Sequence, residues 1–387
     1  MIQRLLMVFA RECRRVNNPY AVVAITKHGV DTARRLQRGL LGSDLYYPRK
    51  FARGDEEQSG ITLYEGTVAA LMPNLFPRYQ GIVGIISIGA MVRLIAPLLQ
   101  DKKTDPGVVV VDDHALHAVS VLSGHVGGAN QLTLLVAQVL GAQPVITTAS
   151  DVGETLAVDI FGREFGFEME NSDKVTAVSA AVVNEQRVHI VQEAGERNWW
   201  KYDHPLPSHL VVYDDVDSAL TQAFAAALVV TPRELETFET ESLLANGVLY
   251  RPKVVTLGIG CNRGTHADEI ESVIREVLND LRLSIKSVRN LATIDVKANE
   301  LGLLEVCQRH GWSLDAYSAE QLNQVTISQP SAMVHRHVGA WGVCAPAARL
   351  ASGASNWVIE KMKSGNVTLS VCLIGDVSGK LKRGWIT

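Results

Sequence analysis

Cysteine is scarce and scattered: Cys13, Cys261, Cys307, Cys344 and Cys372 lie far apart, with no C-x-x-C among them. An odd set so dispersed argues against a disulfide scaffold or a cysteine zinc site and fits free thiols in a reducing cytoplasm. Long apolar runs are also missing. The first, Leu5 to Ala10, is shorter than a signal-peptide core and is followed by arginines. The longest, Gly81 to Val92, stops at Arg93, well short of the ~20 residues a membrane span needs. No basic excess exists: 37 Lys and Arg against 41 Asp and Glu give a net charge of -4. That excludes a general nucleic-acid footprint but leaves room for a local basic pocket for an acidic small molecule. There is no repeat at a solenoid period, no G-x-S-x-G, no G-x-G-x-x-G and no P-loop lysine. The pairs His114 with His117 and His335 with His337 have no third ligand at metal spacing, so no dedicated metal site is expected.

What is present describes a globular chain with ample core, 47% hydrophobic over 387 residues, long enough for roughly two or three domains. Residues 1–15 read as a short arginine-bearing amphipathic helix, a packed extension or a partner-binding one. Strand candidates (Ala21–Thr26, Leu45–Tyr47, Gly81–Ile88, Val108–Val111, Val119–Leu122) then alternate with helix candidates at Val30–Leu41 and Gly66–Met72. The four consecutive valines suit a strand covered on both faces. This predicts an α/β N-terminal domain, 1–151, with a mostly parallel sheet and ligands at the carboxyl ends of its strands. Residues 152–252 read as a small middle α/β segment, with helices over Leu156–Phe167 and Asp173–Val183, strands at Arg187–Gln192 and Leu210–Tyr213, and no catalytic constellation. A separate C-terminal α/β domain, 253–387, opens with strand Val254–Leu257, a glycine turn from Gly258 to Gly264, and a helix whose Thr265 and Asp268 suggest a capping box.

The densest chemistry lies at Ser123-Gly124-His125-Val126-Gly127-Gly128-Ala129-Asn130, followed by a helix and then Thr147, Thr148 and Asp151. Glycines let backbone N–H groups approach a ligand at a helix start, and an imidazole titrating near neutrality can act as acid or base. The plain alternative is a tight turn with a packed histidine. Gly89 and Arg93 form a second candidate, Arg93 reading equally as a fork for a carboxylate or phosphate or as half of an ion pair with Asp105. Gly260, Asn262 and Arg263 make a third, suited to an anion, and Lys297 with Glu300 a fourth; each has a bland reading as a turn or a surface pair.

These stretches resemble a known family. Ser-Gly-His-Val-Gly-Gly-Ala-Asn with Leu-Gly-Ala-Gln-Pro-Val-Ile-Thr-Thr-Ala-Ser-Asp, the preceding Ile-Ala-Pro-Leu-Leu-Gln-Asp-Lys-Lys-Thr-Asp-Pro-Gly, and later Leu-Gly-Ile-Gly-Cys-Asn-Arg-Gly-Thr, Ile-Asp-Val-Lys-Ala-Asn-Glu and Gly-Val-Cys-Ala-Pro-Ala-Ala are similar to cobalt-precorrin-5A hydrolases, the G proteins of anaerobic cobalamin biosynthesis. The likeness covers roughly 20–150 and 253–373; the middle is only loosely similar. Residues 1–18 look like an extension, Ser150 stands where threonine is expected, and Trp341 interrupts a small-residue stretch.

The resemblance implies hydrolytic opening of the ring A δ-lactone of a cobalt-corrinoid, with release of acetaldehyde to give cobalt-precorrin-5B. It implies no cofactor, the cobalt arriving inside the substrate, and a cytoplasmic enzyme working beside others of the pathway, with a homodimer left open. His125 would be the base for water, oriented by Asp151. Asn130, Thr147 or Thr148 and the amides of Gly127 and Gly128 would hold the oxyanion. Ser123 and Gly124 would line the substrate, and Arg93, Arg263 and Lys297 would meet its carboxylates. A non-catalytic tetrapyrrole carrier and a nucleotide- or S-adenosylmethionine-binding protein are the rival readings.

Overall fold

The computed structural model describes residues 18–375, so the helix expected at 1–15 lies outside them. The chain divides into two compact units, 1–160 and 161–387. In the first, β1 (Tyr20–Ala24), α1 (Lys27–Gly39), β2 (Ser43–Pro48), β3 (Ile61–Tyr64), α2 (Val68–Leu75), β4 (Gly81–Ile85), α3 (Ile88–Ile95) and β5 (Gly107–Val111) alternate as the pattern predicts. Then come β6 (His117–Leu122), α4 (Ala129–Leu140), β7 (Gln143–Val145) and the short α5 (Ala149–Val152). They build one seven-stranded sheet of order β3-β2-β1-β4-β5-β6-β7.

The sheet is covered on both faces, and the pleat sorts its residues. Val22, Ala24, Val83, Ile85, Val109 and Val111 pack toward α1 and α4, while Ala21, Val23, Ile82, Val108 and Val110 pack toward α2 and α3. Each of these valines and isoleucines, fully buried, contributes about 1.5–3 kcal/mol, which is why a run of valines serves where alternation would not. Leu132, Val136 and Leu140 of α4 are buried in that core as one stripe, and Gly141 ends the helix.

Strand direction differs from the expectation in one place that matters. β1 to β5 are parallel, but β6 runs antiparallel to β5, setting Val111 beside Ala118 and Val108 beside Leu122. β7 is parallel to β6. The carboxyl ends of β6 and β7 therefore lie on the sheet edge where β1 to β5 begin. The hairpin-like return from β5 needs only the short segment 112–116, too short for the crossover that a parallel neighbour requires.

The second unit holds two sheets. β8 (Glu168–Met169), α6 (Val175–Val183), β9 (Val188–Gln192), β10 (Leu210–Tyr213), α7 (Val216–Ala219), β11 (Ala226–Val230), α8 (Thr237–Leu244) and β12 (Gly247–Arg251) give the order β10-β9-β11-β12-β8. β13 (Val255–Cys261), α9 (Ala267–Asp280), β14 (Val288–Ile294), α10 (Leu301–His310), β15 (Ser313–Tyr317), α11 (Ala319–Leu322), α12 (Ala332–Val338), α13 (Cys344–Ser352), β16 (Ile359–Ser364) and β17 (Val367–Leu373) give β15-β14-β13-β17-β16. The two sheets are joined: Glu234 N–H donates to Arg282 O at 2.7 Å, Lys253 pairs with Glu168 at 2.7 Å, and Ala194 enters the C-terminal core. All three sheets are of α/β type, and no helix among the described residues is long and apolar enough to cross a membrane.

Three local expectations need correction. The helix predicted over Leu156–Phe167 is two single 3-10 turns, Val158–Ile160 and Arg163–Phe165, because Gly162 and Gly166 take left-handed φ of 67° and 76°. The glycine turn starts later than predicted, since β13 continues through Gly258 and Gly260 to Cys261. A Cβ on Gly258 would stand 1.8 Å from Cys344 O and 2.7 Å from Ala348 N, so this glycine lets α13 lie close on the sheet. Thr265 forms no box with Asp268: its hydroxyl donates to Asn262 O at 2.8 Å, and His266 is the N-cap residue of α9.

Candidate active site

The loop from Ser123 to Gly128 leaves the carboxyl end of β6 and turns into α4. It coils tightly on itself. Ala129 N–H donates to Ser123 O, Asn130 N–H to Gly124 O and Gly128 N–H to His125 O, at 3.0–3.1 Å. A Cβ on Gly124 would stand 2.7 Å from Asn130 Oδ1, and one on Gly127 would stand 2.4 Å from Ser123 Cβ. The glycines thus serve the loop's own packing first. Of the two amides expected to hold an oxyanion, that of Gly128 is engaged internally. That of Gly127 has no acceptor among the described residues.

Ser123 has φ of 54°, a left-handed conformation that is costly for a side chain other than glycine, and its buried hydroxyl has no hydrogen-bond partner. That strain turns the loop so that His125 faces the start of α5 and the segment after it.

The imidazole is held from both ends. Its Nε2 lies 2.8 Å from Asp151 Oδ2 and its Nδ1 lies 3.0 Å from Asp159 Oδ1. Ser150 Oγ is 3.2 Å from the same Nε2. Asn130, buried at the first turn of α4, donates from Nδ2 to Asp151 Oδ2 at 2.8 Å and to Thr148 Oγ1 at 2.9 Å, and accepts from Ser120 at 2.7 Å. Hydrogen bonds from Asp151 first and Asp159 second push the His125 pKa up to about 9 against partial burial. The ring is an imidazolium at neutral pH, both N–H groups donating to carboxylates.

Of the residues predicted here, His125, Asn130, Thr148 and Asp151 come together, and Thr147 is exposed and outside the network. Sequence reasoning missed Asp159, Ser150 and Ser120. Asp159 is the one carboxylate in the apolar run Leu156–Phe161, a signal masked by reading that run as a helix. Gly89 and Arg93 are elsewhere. Gly89 lies in the first turn of α3, after the carboxyl end of β4 and so at the opposite sheet edge, and Arg93 folds back onto Gly89 O at 3.0 Å. The suggested Arg93–Asp105 pair does not form; Asp105 instead accepts from Gln100 N–H at 3.1 Å.

The C-terminal candidates do share a place, at the carboxyl ends of β13 and β14. Asn262 is bound to Asn366 at 2.7 Å, Lys297 pairs with Glu300 at 2.9 Å, and Glu300 also accepts from Gly264 N–H at 3.1 Å. Lys297 and then that amide hold the Glu300 carboxyl below its ordinary range. Arg263 is exposed beside them. Gly260 is a strand residue whose Cβ would meet Thr368 Oγ1 at 2.7 Å. The pair steadies the turn as well as presenting a cation.

Three family models match the chain: Cobalamin synthesis G N-terminal over 70–151, Cobalamin biosynthesis central region over 156–252, and Cobalamin synthesis G C-terminus over 255–372. A cobalt-precorrin-5A hydrolase of Priestia megaterium is 54% identical, covering 92% of this chain and 95% of that one. The cobalt-precorrin-5A hydrolase of Salmonella typhimurium is 30% identical over 91% and 96%. A solved cobalamin biosynthesis protein G homologue from Sulfolobus solfataricus is 16% identical over 93% of this chain and 98% of that one, with a TM-score of 0.37. Likeness at this level to named hydrolases over nearly the whole length does not favour the carrier reading. The chain belongs to the cobalt-precorrin-5A hydrolase family, the G proteins of cobalamin synthesis.

Proposed function

We propose that the protein opens the ring A δ-lactone of cobalt-precorrin-5A and releases acetaldehyde, with cobalt entering as part of the substrate and the chemistry centred on His125 and Asp151. The observation that carries this reading is the 2.8 Å contact between a half-exposed carboxylate and a charged imidazole, in which base and acid are already paired. The expected role of His125 is reversed in consequence. An imidazolium cannot take a proton from water, so Asp151 is the base and His125 the acid.

Water adds to the lactone carbonyl as Asp151 accepts its proton, and the Gly127 N–H is the donor available for the oxyanion. The ring C–O bond then breaks, and His125 Nε2 gives its proton to the departing alkoxide. In the second stage neutral Nε2 takes that proton back from the new hydroxyl. The carbon–carbon bond breaks to acetaldehyde, its electrons pass into the conjugated macrocycle, and the macrocycle takes up the proton held by Asp151. Both groups end as they began, and one water is consumed.

By residue chemistry we further assign Arg263, a fork donor, and Lys297, a point charge, to the substrate's peripheral carboxylates. A coupled acetaldehyde assay with cobalt-precorrin-5A tests the whole. His125→Ala is expected to lower kcat by on the order of 100-fold or more while substrate affinity stays within about tenfold. Unchanged turnover would reject the assignment.

A further inference from the structure

We infer that Asp159 is a positioning residue of this site: its carboxylate holds the Nδ1–H of His125 and so dictates that Nε2 is the nitrogen presented to the reacting groups. The inference rests on the hydrolase reading above and adds a residue to it from outside the motif. Both oxygens of Asp159 lie within reach of Nδ1, at 3.0 and 3.3 Å. The Nε2 side is different in kind. It faces Asp151 Oδ2 at 2.8 Å and Ser150 Oγ at 3.2 Å, a cluster of several polar groups rather than a single partner.

The two carboxylates are not equivalent. Asp151 is 41% exposed and shares its oxygen with Asn130, whereas Asp159 is 27% exposed and holds the ring with both oxygens. Asp159 sits in a 3-10 turn anchored by Val158, which is 1% exposed in the core. The charged groups that act most strongly on the ring are these two carboxylates, and the further side chain in contact with it, Ser150, is neutral. A carboxylate on one ring nitrogen fixes both tautomer and orientation of the other.

This matters for a reaction in which one nitrogen gives up a proton and later recovers it. When Nε2–H protonates the leaving oxygen, Asp159 keeps the remaining hydrogen on Nδ1. The neutral ring then carries its lone pair on Nε2, still facing the hydroxyl it must deprotonate. Without Asp159 the ring is free to turn either nitrogen toward Asp151, and it loses both the enforced Nδ1–H tautomer and the negative charge that supports proton transfer at Nε2.

Asp159→Asn, Asp159→Glu and Asp151→Asn in the full chain test this. Asp159→Asn should lower kcat for acetaldehyde by on the order of 100-fold with KM within about threefold. The high-pH limb of kcat, which follows loss of the imidazolium, should move to lower pH, and Asp159→Glu should recover part of both. In protein with 15N-labelled histidine, the downfield Nδ1–H resonance of His125 should be lost in Asp159→Asn and kept in Asp151→Asn. A role in folding alone would lower the melting temperature and leave the pH limb in place, and that result overturns the inference. So would a retained Nδ1–H resonance in Asp159→Asn, whatever the activity. If the wild-type protein releases no acetaldehyde, the hydrolase reading falls, and the resonance decides the contact independently.

Discussion

An imidazole between two carboxylates is a different reagent from one beside a single partner. Each negative charge favours the protonated ring, and partial burial is too weak to reverse them. The sign of the linked stability effect follows. The folded pKa of about 9 lies above the ordinary 6.5, so the stabilisation is full below about 6.5 and is lost as pH rises through about 9. Urea unfolding at pH 7 and pH 10 should show a larger loss for wild type than for His125→Gln. Equal losses would mean that the ring is not charged in the folded protein. The same residue scale shows what the motif concealed. Ser-Gly-His-Val-Gly-Gly-Ala-Asn pointed to His125 and Asn130 by residue chemistry alone, and both are in the network. Asp159 needed coordinates, because nothing in eight residues of spacing says that a chain will double back.

At the scale of elements, glycine has two uses in this chain that look identical in the sequence. Around His125 it allows a loop to pack on itself. In β13 it allows a helix to approach a sheet, so Gly258 belongs to the C-terminal core rather than to a ligand turn. Gly258→Ala should cost at least about 1–3 kcal/mol from overpacking, visible as a lower denaturant midpoint, whereas Gly264→Ala faces open space and pays only for its positive φ of 74°. Equal midpoints for the Gly258 variant and wild type would show that α13 can move aside. The helices and most strands were readable because apolar periodicity is local: the stripe in α4 and the valines of β5 are visible in a few residues. β3, β7, β8, β11, β12 and β14 were not anticipated. Most are short, so even where a turn dipeptide such as Ser59-Gly60 or Asn246-Gly247 marks the border, the run that follows is too brief to show a clear period.

For the second unit as a whole, a buried ionic cluster holds the middle sheet at the place where it meets the C-terminal one. Arg233 pairs with Glu193 at 2.7 Å and Glu239 at 2.6 Å, with both carboxylates buried, and its backbone bridges to Leu283. Arg251, itself buried, pairs with Glu170 and Glu234, and Glu170 also meets Lys286 at 3.3 Å. Removing one member leaves a buried charge without its partner. Arg233→Met should therefore destabilise residues 161–387 by about 3–5 kcal/mol. Faster amide exchange should appear in β11 and in the α9–β14 connection together; a change confined to β11 would mean that the sheets open separately.

The sequence by itself determined the α/β class, the helices with clear apolar stripes, the polar loop that carries His125 and the family to which the chain belongs. Those follow from short-range periodicity, turn chemistry and residue type. Tertiary structure alone decided that β6 runs against its neighbour, which puts Gly89 and His125 on opposite edges of one sheet. It alone brought Asp159 to Nδ1 and set α13 against Gly258. These depend on which distant segments pair and how closely they pack, and that energy belongs to contacts between residues far apart in the chain.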